Sequence, residues 1–220
     1  MEISDRPDSL RINEIFYSIQ GESTQAGRPC IFIRLTYCNL RCSYCDTEYA
    51  FYEGDYLTIT EILEKIKSYP CKLVEVTGGE PLVQKNVHAL MRRLCDAGYE
   101  VMLETGGHMD IGQVDMRVKK IVDVKCPGSG ESEKNFWNNL NQITKKDEIK
   151  FVIKDRTDFD FASEVIEKYK LANRVSLLFS PVFQTVELNI LAQWILESGI
   201  PARLQVQMHK LIWPEVTRGV

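Results

Sequence analysis

Three cysteines within eight residues form the most reactive stretch of the chain: Cys38-Asn39-Leu40-Arg41-Cys42-Ser43-Tyr44-Cys45. They stand at C-x3-C-x2-C spacing directly after the apolar run Cys30 to Tyr37. A strand that ends in three thiols on one short loop presents soft ligands to a single point, and thiolates select zinc or iron–sulfur clusters. Ligand number separates the two. Structural zinc takes four ligands, commonly from two paired groups. No second pair follows here, and His88, His108 and His209 are isolated from one another. A four-iron cluster held by three cysteines keeps one iron open, and an open iron can bind and reduce a substrate.

Other candidate residues fall at the ends of apolar runs. Gly78-Gly79-Glu80-Pro81 follows Leu73 to Thr77, and Gly106-Gly107 follows Tyr99 to Thr105. Asp123, Val124 and Lys125 close the run from Lys120, and Ser180-Pro181 closes the run from Arg174. Taken singly, each is ordinary turn chemistry, and a glycine pair after a strand is an ordinary tight turn. Ile19, Gln20, Gly21 and Glu22 form a polar loop of a kind usually found on the surface. Arg34 sits inside Ile31-Phe32-Ile33-Arg34-Leu35, where burial without a partner would be costly. It is either an edge residue with a solvated head or an inward residue that takes an anion through its fork of donors. Thr47, after Asp46, suits a turn cap. His209, alone, suits a structural role.

The elements that must position these residues alternate. Leu10 to Tyr17 and Cys30 to Tyr37 read as strands. Thr58-Ile59-Thr60-Glu61 is a capping-box start, with Ile62, Leu63 and Ile66 at helical spacing before Pro70. Strands follow at Leu73 to Thr77, Tyr99 to Glu104, Lys120 to Val124, Glu148 to Lys154, Arg174 to Phe179 and Ala202 to Val206. Helices lie between them at Gln84 to Ala97, near Glu133 to Asn141, at Phe159 to Tyr169 and at Val186 to Ser198. Repeated strand–helix units with apolar strands imply a parallel sheet covered by helices. Ligands bind at the carboxyl ends of such strands, which is where the unusual residues fall. At 220 residues the chain is short for a closed eight-unit barrel of about 250. The expected fold is α/β: a partial, open β/α barrel of about six parallel strands with an N-terminal extra strand, one domain over residues 1–220.

Composition narrows the setting. A net charge of −4 gives no basic field for nucleic acid. The opening residues Met1 to Asp8 lack the apolar core of a signal peptide, and no run approaches membrane-spanning length. Seven cysteines, an odd number with three of them packed together, speak against a disulfide framework and for a metal site in a reducing, cytoplasmic setting. Cys30 and Cys95 lie in apolar segments and suit the core. Cys126 follows a site loop and has no assigned role.

The cysteine triad, with an aromatic at Tyr44 and Gly78-Gly79-Glu80-Pro81 one strand–helix unit later, resembles the radical S-adenosylmethionine enzymes. The resemblance implies a [4Fe-4S] cluster on Cys38, Cys42 and Cys45, whose open iron is chelated by S-adenosylmethionine. One-electron cleavage of that cofactor would give a 5′-deoxyadenosyl radical that takes a hydrogen atom from the substrate. It also implies cofactor contacts at Tyr44, Asp46, Gly79, Glu80, Asp123, Val124, Lys125 and Ser180, and an external one-electron donor of flavodoxin or ferredoxin type. Glu14 to Glu22, Ile33-Arg34-Leu35, Cys45-Asp46-Thr47 and His209-Lys210-x2-Trp213 are similar to a narrower branch over nearly the whole chain. Members of that branch convert 6-carboxy-5,6,7,8-tetrahydropterin to 7-carboxy-7-deazaguanine, with ring contraction and loss of ammonia, on the way to 7-deazapurines of the queuosine type. This resemblance implies Mg2+ on Thr47, substrate contacts at Ile19, Gln20, Gly21, Glu22, Arg34, Thr77 and His209, and a homodimer. A glycyl-radical-activating enzyme carries the same cysteine spacing, and a non-enzymatic metal-cluster protein is the reading from another class.

Overall fold

A computed structural model describes residues 7–220; residues 1–6, part of the segment expected to lack a signal peptide, lie outside the described residues. The chain begins with β1 (Ser9–Ile19), which pairs antiparallel with β2 (Pro29–Leu35) and with β3 (Asp55–Thr58). The helix α1 (Ile59–Ile66) starts at Thr58 with the expected capping box, Glu61 N–H donating to Thr58 Oγ1 at 3.2 Å and Thr58 N–H to Glu61 Oε2 at 2.7 Å. There follow β4 (Leu73–Gly78), α2 (Val87–Asp96), β5 (Glu100–Thr105), β6 (Lys119–Asp123), α3 (Asn139–Gln142), β7 (Glu148–Ile153), α4 (Arg156–Lys168), β8 (Ser176–Pro181), α5 (Leu188–Ser198), β9 (Ala202–Leu204) and α6 (Met208–Ile212).

Among the described residues the strands form one open sheet in the order β3-β1-β2-β4-β5-β6-β7-β8-β9, parallel from β2 to β9. The partial barrel therefore has seven parallel strands rather than about six, and two antiparallel strands rather than one. β3 escapes a sequence reading because Asp55-Tyr56-Leu57-Thr58 is too short to show a period; it exists by pairing with Ser9 to Ile12, far away in the chain. Two helices are shorter than expected because side chains near their starts serve the fold instead. Gln84 is buried and its amide holds the backbone oxygens of Arg11 and Thr36, so α2 begins at Val87. In the Glu133 to Asn141 region, Asn139 bonds the carbonyls of Gly107 and Met109 and the N–H of Ile111, leaving only one turn of helix around it.

The side-chain period of two divides the sheet. One set of residues, including Ile31, Ile33, Val74, Val76, Leu103, Val122, Ile149, Phe151 and Phe179, joins residues of α1, α2, α4 and α5 in a continuous apolar core. The opposite set lines the inside of the curve. Near the strand starts it is apolar, with Phe16, Cys30, Phe32, Leu73, Met102 and Ile121 in one cluster and Phe16 stacked on Phe32 at 4.8 Å. Toward the carboxyl ends the same face turns polar, with Arg34, Thr77, Glu104, Asp123, Lys150 and Ser180.

Candidate active site

A cavity of about 660 Å³ lies at these carboxyl ends. Its wall brings together nearly all the residues singled out in the sequence: Ile19 to Glu22, Arg34, the three cysteines, Tyr44, Asp46, Thr47, Thr77, Gly79, Asp123, Lys125, Ser180 and His209. Glu80 and Val124 are not part of it. Val124 is packed in the apolar core. Glu80 is fully buried, accepting from Leu82 N–H at 3.0 Å, Gly106 N–H at 2.8 Å and Thr105 Oγ1 at 2.9 Å. It ties the end of β4 to the end of β5.

Tyr37 turns the chain out of β2 with φ 83°, a left-handed conformation rare for an aromatic residue. Its N–H donates to Ala50 O at 2.8 Å, which fixes the departure of the cysteine loop. The far side of the loop is tied to the segment after β6: Ser43 N–H and Oγ bond Ser129 O and Gly128 O, and Arg41 N–H bonds Glu131. Cys38, Cys42 and Cys45 all face the cavity, and Cys42 and Cys45 pack against Cys38, Leu40 and Phe51. Burial pushes the Cys38 thiol up to about 11 and raises Cys42 and Cys45, while the nearby Lys125 ammonium acts the other way on all three. Cys126 is fully buried in the core and Cys95 is half-buried, so neither joins the triad.

The three thiols fit a four-iron cluster. Among the described residues no three His, Cys, Asp or Glu side chains gather as closely as a single metal ion requires. A cluster asks for less, since each cysteine binds a different iron. The wall beside the thiols also carries buried polar atoms without a partner among the described residues, the Tyr44 hydroxyl and Asp123 Oδ1. Such atoms await a ligand.

The glycine pair has a steric cause. Gly78 has φ +141°, and a Cβ there would strike the Leu35 backbone; a Cβ on Gly79 would strike the Tyr37 carbonyl. β4 thus ends in contact with the chain leading into the cysteine loop. Gly79 N–H donates to Leu35 O at 3.3 Å and Glu80 N–H to Tyr37 O at 2.8 Å. His108 supports the same loop from below, with Nε2 at 2.6 Å from Asn39 Oδ1. Burial and the charge of Lys125 bring the His108 imidazole down to about 4, so it is neutral at physiological pH.

Arg34 points inward. The anion it meets within the chain is Glu14, 2.7 Å from Nε, and Glu14 also accepts from the Tyr49 hydroxyl at 3.0 Å. The guanidinium lies 5.8 Å from the Phe16 ring and 5.9 Å from the Tyr49 ring. Thr47 Oγ1 donates to Asp46 Oδ1 at 2.9 Å. Partial burial opposes ionisation of Asp46, but Lys210 at 2.8 Å, with Gln207 and Thr47, holds its carboxyl well below the usual range. Through these bonds the C-terminal helix α6 is anchored to the cysteine loop. It is also anchored to the Gln20-Gly21-Glu22 loop: Met208 N–H donates to Gly21 O at 3.1 Å, Gln207 Nε2 donates to Glu22 at 2.9 Å, and a Cβ on Gly21 would come within 2.6 Å of His209 Nδ1. The tail beyond α6 returns to the cavity wall at Val216, Thr217 and Val220.

Three wall residues, Tyr49, Glu75 and Lys150, and two residues bonded to the wall from outside it, Glu14 and Gln205, were not singled out from sequence. Gln20 is buried and its amide donates to Glu75. Lys150 joins Glu22 and Glu104. Gln205 Nε2 reaches Glu22 at 3.1 Å and Ser180 Oγ at 3.2 Å. A signal existed for two of them. Glu75 in Leu73-Val74-Glu75-Val76 and Lys150 in Ile149-Lys150-Phe151-Val152 are single charges in apolar strands, open to the same argument as Arg34.

A family model described as the Radical SAM superfamily matches residues 32–184. The chain is 46% identical over 226 aligned residues to a protein of Koribacter versatilis (strain Ellin345) named 7-carboxy-7-deazaguanine synthase, which covers 96% of this chain and 100% of the relative. It is 44% identical to the protein of that name from Chlorobaculum tepidum, over 96% of this chain and 97% of the relative. The crystal structure of QueE from Escherichia coli superposes with a TM-score of 0.76 at 21% identity, covering 90% of this chain and 94% of that one, and supports the fold.

Proposed function

The chain belongs to the radical SAM superfamily and, within it, to the family of the relatives named 7-carboxy-7-deazaguanine synthase, and we propose that its cavity converts 6-carboxy-5,6,7,8-tetrahydropterin to 7-carboxy-7-deazaguanine by the residues described above. The observation that supports the residue assignment is that one cavity is lined by three thiols together with an arginine, two threonines of the predicted set and several carboxylates. The enzyme is a radical-SAM lyase with a [4Fe-4S] cluster and S-adenosylmethionine. When bound, these groups supply the one-electron cleavage that starts hydrogen abstraction from the substrate.

The protein's own contribution is placement. Cys38, Cys42 and Cys45 hold the cluster. The Gly79 N–H is spent on Leu35, so its carbonyl is the group to receive an ammonium from the cofactor's methionine end. Asp123 Oδ1, the Tyr44 hydroxyl and Ser180 serve the rest of the cofactor in this reading, with Asp46 and Lys125 at its flanks; the two buried, unpartnered atoms among them support it. Gln20, Glu22, Thr77 and His209 surround the pterin, with Ile19 and Gly21 shaping the loop. Arg34 takes the substrate carboxylate on the terminal edge of its guanidinium, because Glu14 occupies Nε. Thr47 supplies one oxygen to Mg2+, a hard ion that keeps waters and substrate oxygens as its remaining ligands.

An external one-electron donor, flavodoxin-like or ferredoxin-like, meets the exposed outer side of the cysteine loop at Asn39, Arg41 and Ser43. A reducing, cytoplasmic setting belongs to the same proposal, since thiols kept for a cluster must stay reduced. No helix among the described residues is long and apolar enough to cross a membrane. The homodimer implied by the resemblance is read by sedimentation velocity, where a monomer-sized boundary would count against it. The deciding test is anaerobic turnover of the reconstituted protein with the tetrahydropterin. The deazaguanine product is expected, and its absence despite cofactor cleavage would overturn the assignment. A glycyl-radical-activating enzyme would have no use for Arg34 and Glu22 as anchors of a small carboxylated heterocycle.

A further inference from the structure

Lys150 stands out among the cavity residues for its burial and its partners. It projects from β7 into the site, 7% exposed. Its ammonium donates to Glu22 Oε2 at 3.0 Å and to Glu104 Oε1. These two carboxylates come from separate parts of the fold, one from the loop after β1 and the other from the end of β5. A third acid, Glu75 on β4, lies beside them and accepts from Gln20. Glu22 also accepts from Gln205 at 3.1 Å and Gln207 at 2.9 Å.

Three carboxyl groups in one buried pocket repel one another unless a cation stands between them. Arg34 faces Glu104 from β2 but is bonded to Glu14, and Lys125, just after β6, is bonded to Asp123 at 2.7 Å. Lys150 is the cation placed between Glu22 and Glu104. Each bond uses one oxygen of each carboxylate, and an ionised carboxylate has about four acceptor directions. Both carboxylates line the cavity and stay partly exposed to it, 17% for Glu22 and 26% for Glu104, and Glu104 Oε2 accepts from the Thr77 hydroxyl at 3.4 Å.

We propose that Lys150 is a positioning residue that sets the acceptor character of the pocket. By pairing with Glu22 and Glu104 it presents two carboxylates to the edge of a heterocycle that carries adjacent N–H donors, and it excludes heterocycles that carry a carbonyl there. A pterin has such an edge in its 2-amino group and neighbouring ring N–H, so the inference rests on the pterin reading above and assigns to Lys150 the selection of the 2-amino over the 2-oxo heterocycle.

The electrostatics agree with the geometry. Burial alone would push the Glu104 carboxyl up, and Asp123 on β6 adds to that; Lys150 outweighs them and, with Arg34, brings it below the ordinary value. Glu75 has no such cation at bonding distance among the described residues, and burial together with Glu104 and Glu22 raises its carboxyl well above the usual range. Removing Lys150 would therefore leave burial and Asp123 against the ionisation of Glu104, with Arg34 and the Thr77 hydroxyl in favour. The Glu104 carboxyl would then rise, and its protonated form, which offers an O–H where the carboxylate offers an acceptor, would gain population.

The experiment compares wild type, Lys150→Met, Lys150→Arg and Glu104→Gln, each reconstituted anaerobically. The probes are the carboxylated tetrahydropterin and its 2-oxo counterpart, the carboxylated tetrahydrolumazine. KM and kcat are measured from about pH 6 to about pH 9, and each heterocycle is titrated at equilibrium. Lys150→Met should raise KM for the 2-amino substrate about tenfold or more near neutral pH, with a smaller change in kcat. That KM should fall as pH rises and Glu104 ionises, whereas the wild-type KM stays flat. Preference for the 2-amino over the 2-oxo heterocycle should narrow in Lys150→Met, narrow further in Glu104→Gln, whose amide can donate, and persist in Lys150→Arg. A purely structural lysine would change none of these preferences. If wild type turns over the 2-amino substrate while Lys150→Met and Glu104→Gln keep its KM and its preference, the inference is overturned alone. If wild type binds neither heterocycle, the pterin reading is overturned and this inference with it.

Discussion

Arg34 already has an anion within the chain, and that changes what its substitution should do. Glu14 holds Nε at 2.7 Å, so the side chain is oriented before any substrate arrives. Arg34→Lys keeps a charge but loses the planar fork. A lost charge-assisted pair costs about 1.5–3 kcal/mol, so kcat/KM should fall about 10- to 100-fold. A change under about twofold in anaerobic kinetics would mean that the carboxylate docks elsewhere. Thr47 gives a second test. Activity should fall when magnesium is removed, and Thr47→Ala should weaken that dependence; an unchanged magnesium response in the variant would remove Thr47 from the metal site. Glu75 gives a test of stability. Burial, with Glu104 and Glu22 nearby, raises its folded carboxyl above the unfolded value of about 4.3. The contribution of a group raised in this way is fully present below the unfolded value and is lost as pH rises through the folded value. Glu75→Gln keeps an oxygen for the Gln20 amide and should stabilise the protein at about pH 9 but much less at about pH 4 in urea denaturation. An equal effect at both would show that Glu75 is not raised.

At the scale of elements, the site depends on where strands end. β4 can end against β2 only because Gly78, at φ +141°, and Gly79 carry no Cβ. Gly78→Ala should cost on the order of 2–3 kcal/mol in backbone strain and steric conflict, and should lower iron retention after reconstitution, because Leu35 leads directly into the cysteine loop. Full stability and iron content in that variant would separate the turn from the cluster site. The α1 cap makes a contrast. Thr58 and Glu61 close a capping box on the far side of the sheet from the cavity. Thr58→Ala should lower stability by about 1 kcal/mol with kcat/KM unchanged. α6 works differently again: only five residues long, it is held by Asp46, Gly21 and Glu22 rather than by its own ladder.

At the scale of the whole molecule, one apolar core runs from Leu10 on β1 to Ile195 on α5 without a break. The chain should therefore unfold as a single domain. Far-UV circular dichroism and the fluorescence of Trp137 and Trp194, both packed on that core, should report coincident transitions. Separate midpoints would divide the chain into two units. The open sheet also explains the chemistry of its inner face. A parallel strand buried on both sides is ordinarily apolar throughout, but here the concave side encloses a cavity, so Glu75, Glu104, Asp123 and Lys150 can stand on its inner face among apolar neighbours.

The sequence by itself determined the local facts. Cys38, Cys42 and Cys45 at their spacing, the Thr58 cap, the strand–helix alternation and the glycine turn after β4 all depend on neighbours within a few residues, where spacing is geometry. It also marked Arg34 as either an edge residue with a solvated head or an inward one that takes an anion, because burying a charge in an apolar strand without a partner has a cost. Only the tertiary structure decided which anion it meets, that Glu80 serves a strand-end junction rather than the cavity wall, and that β3 exists. Those outcomes depend on groups brought together from distant parts of the chain. Lys150 shows the difference most clearly. Its charge in Ile149-Lys150-Phe151 could be read as an anomaly, but its partners, Glu22 and Glu104, lie 128 and 46 residues away and meet it only when the sheet curves.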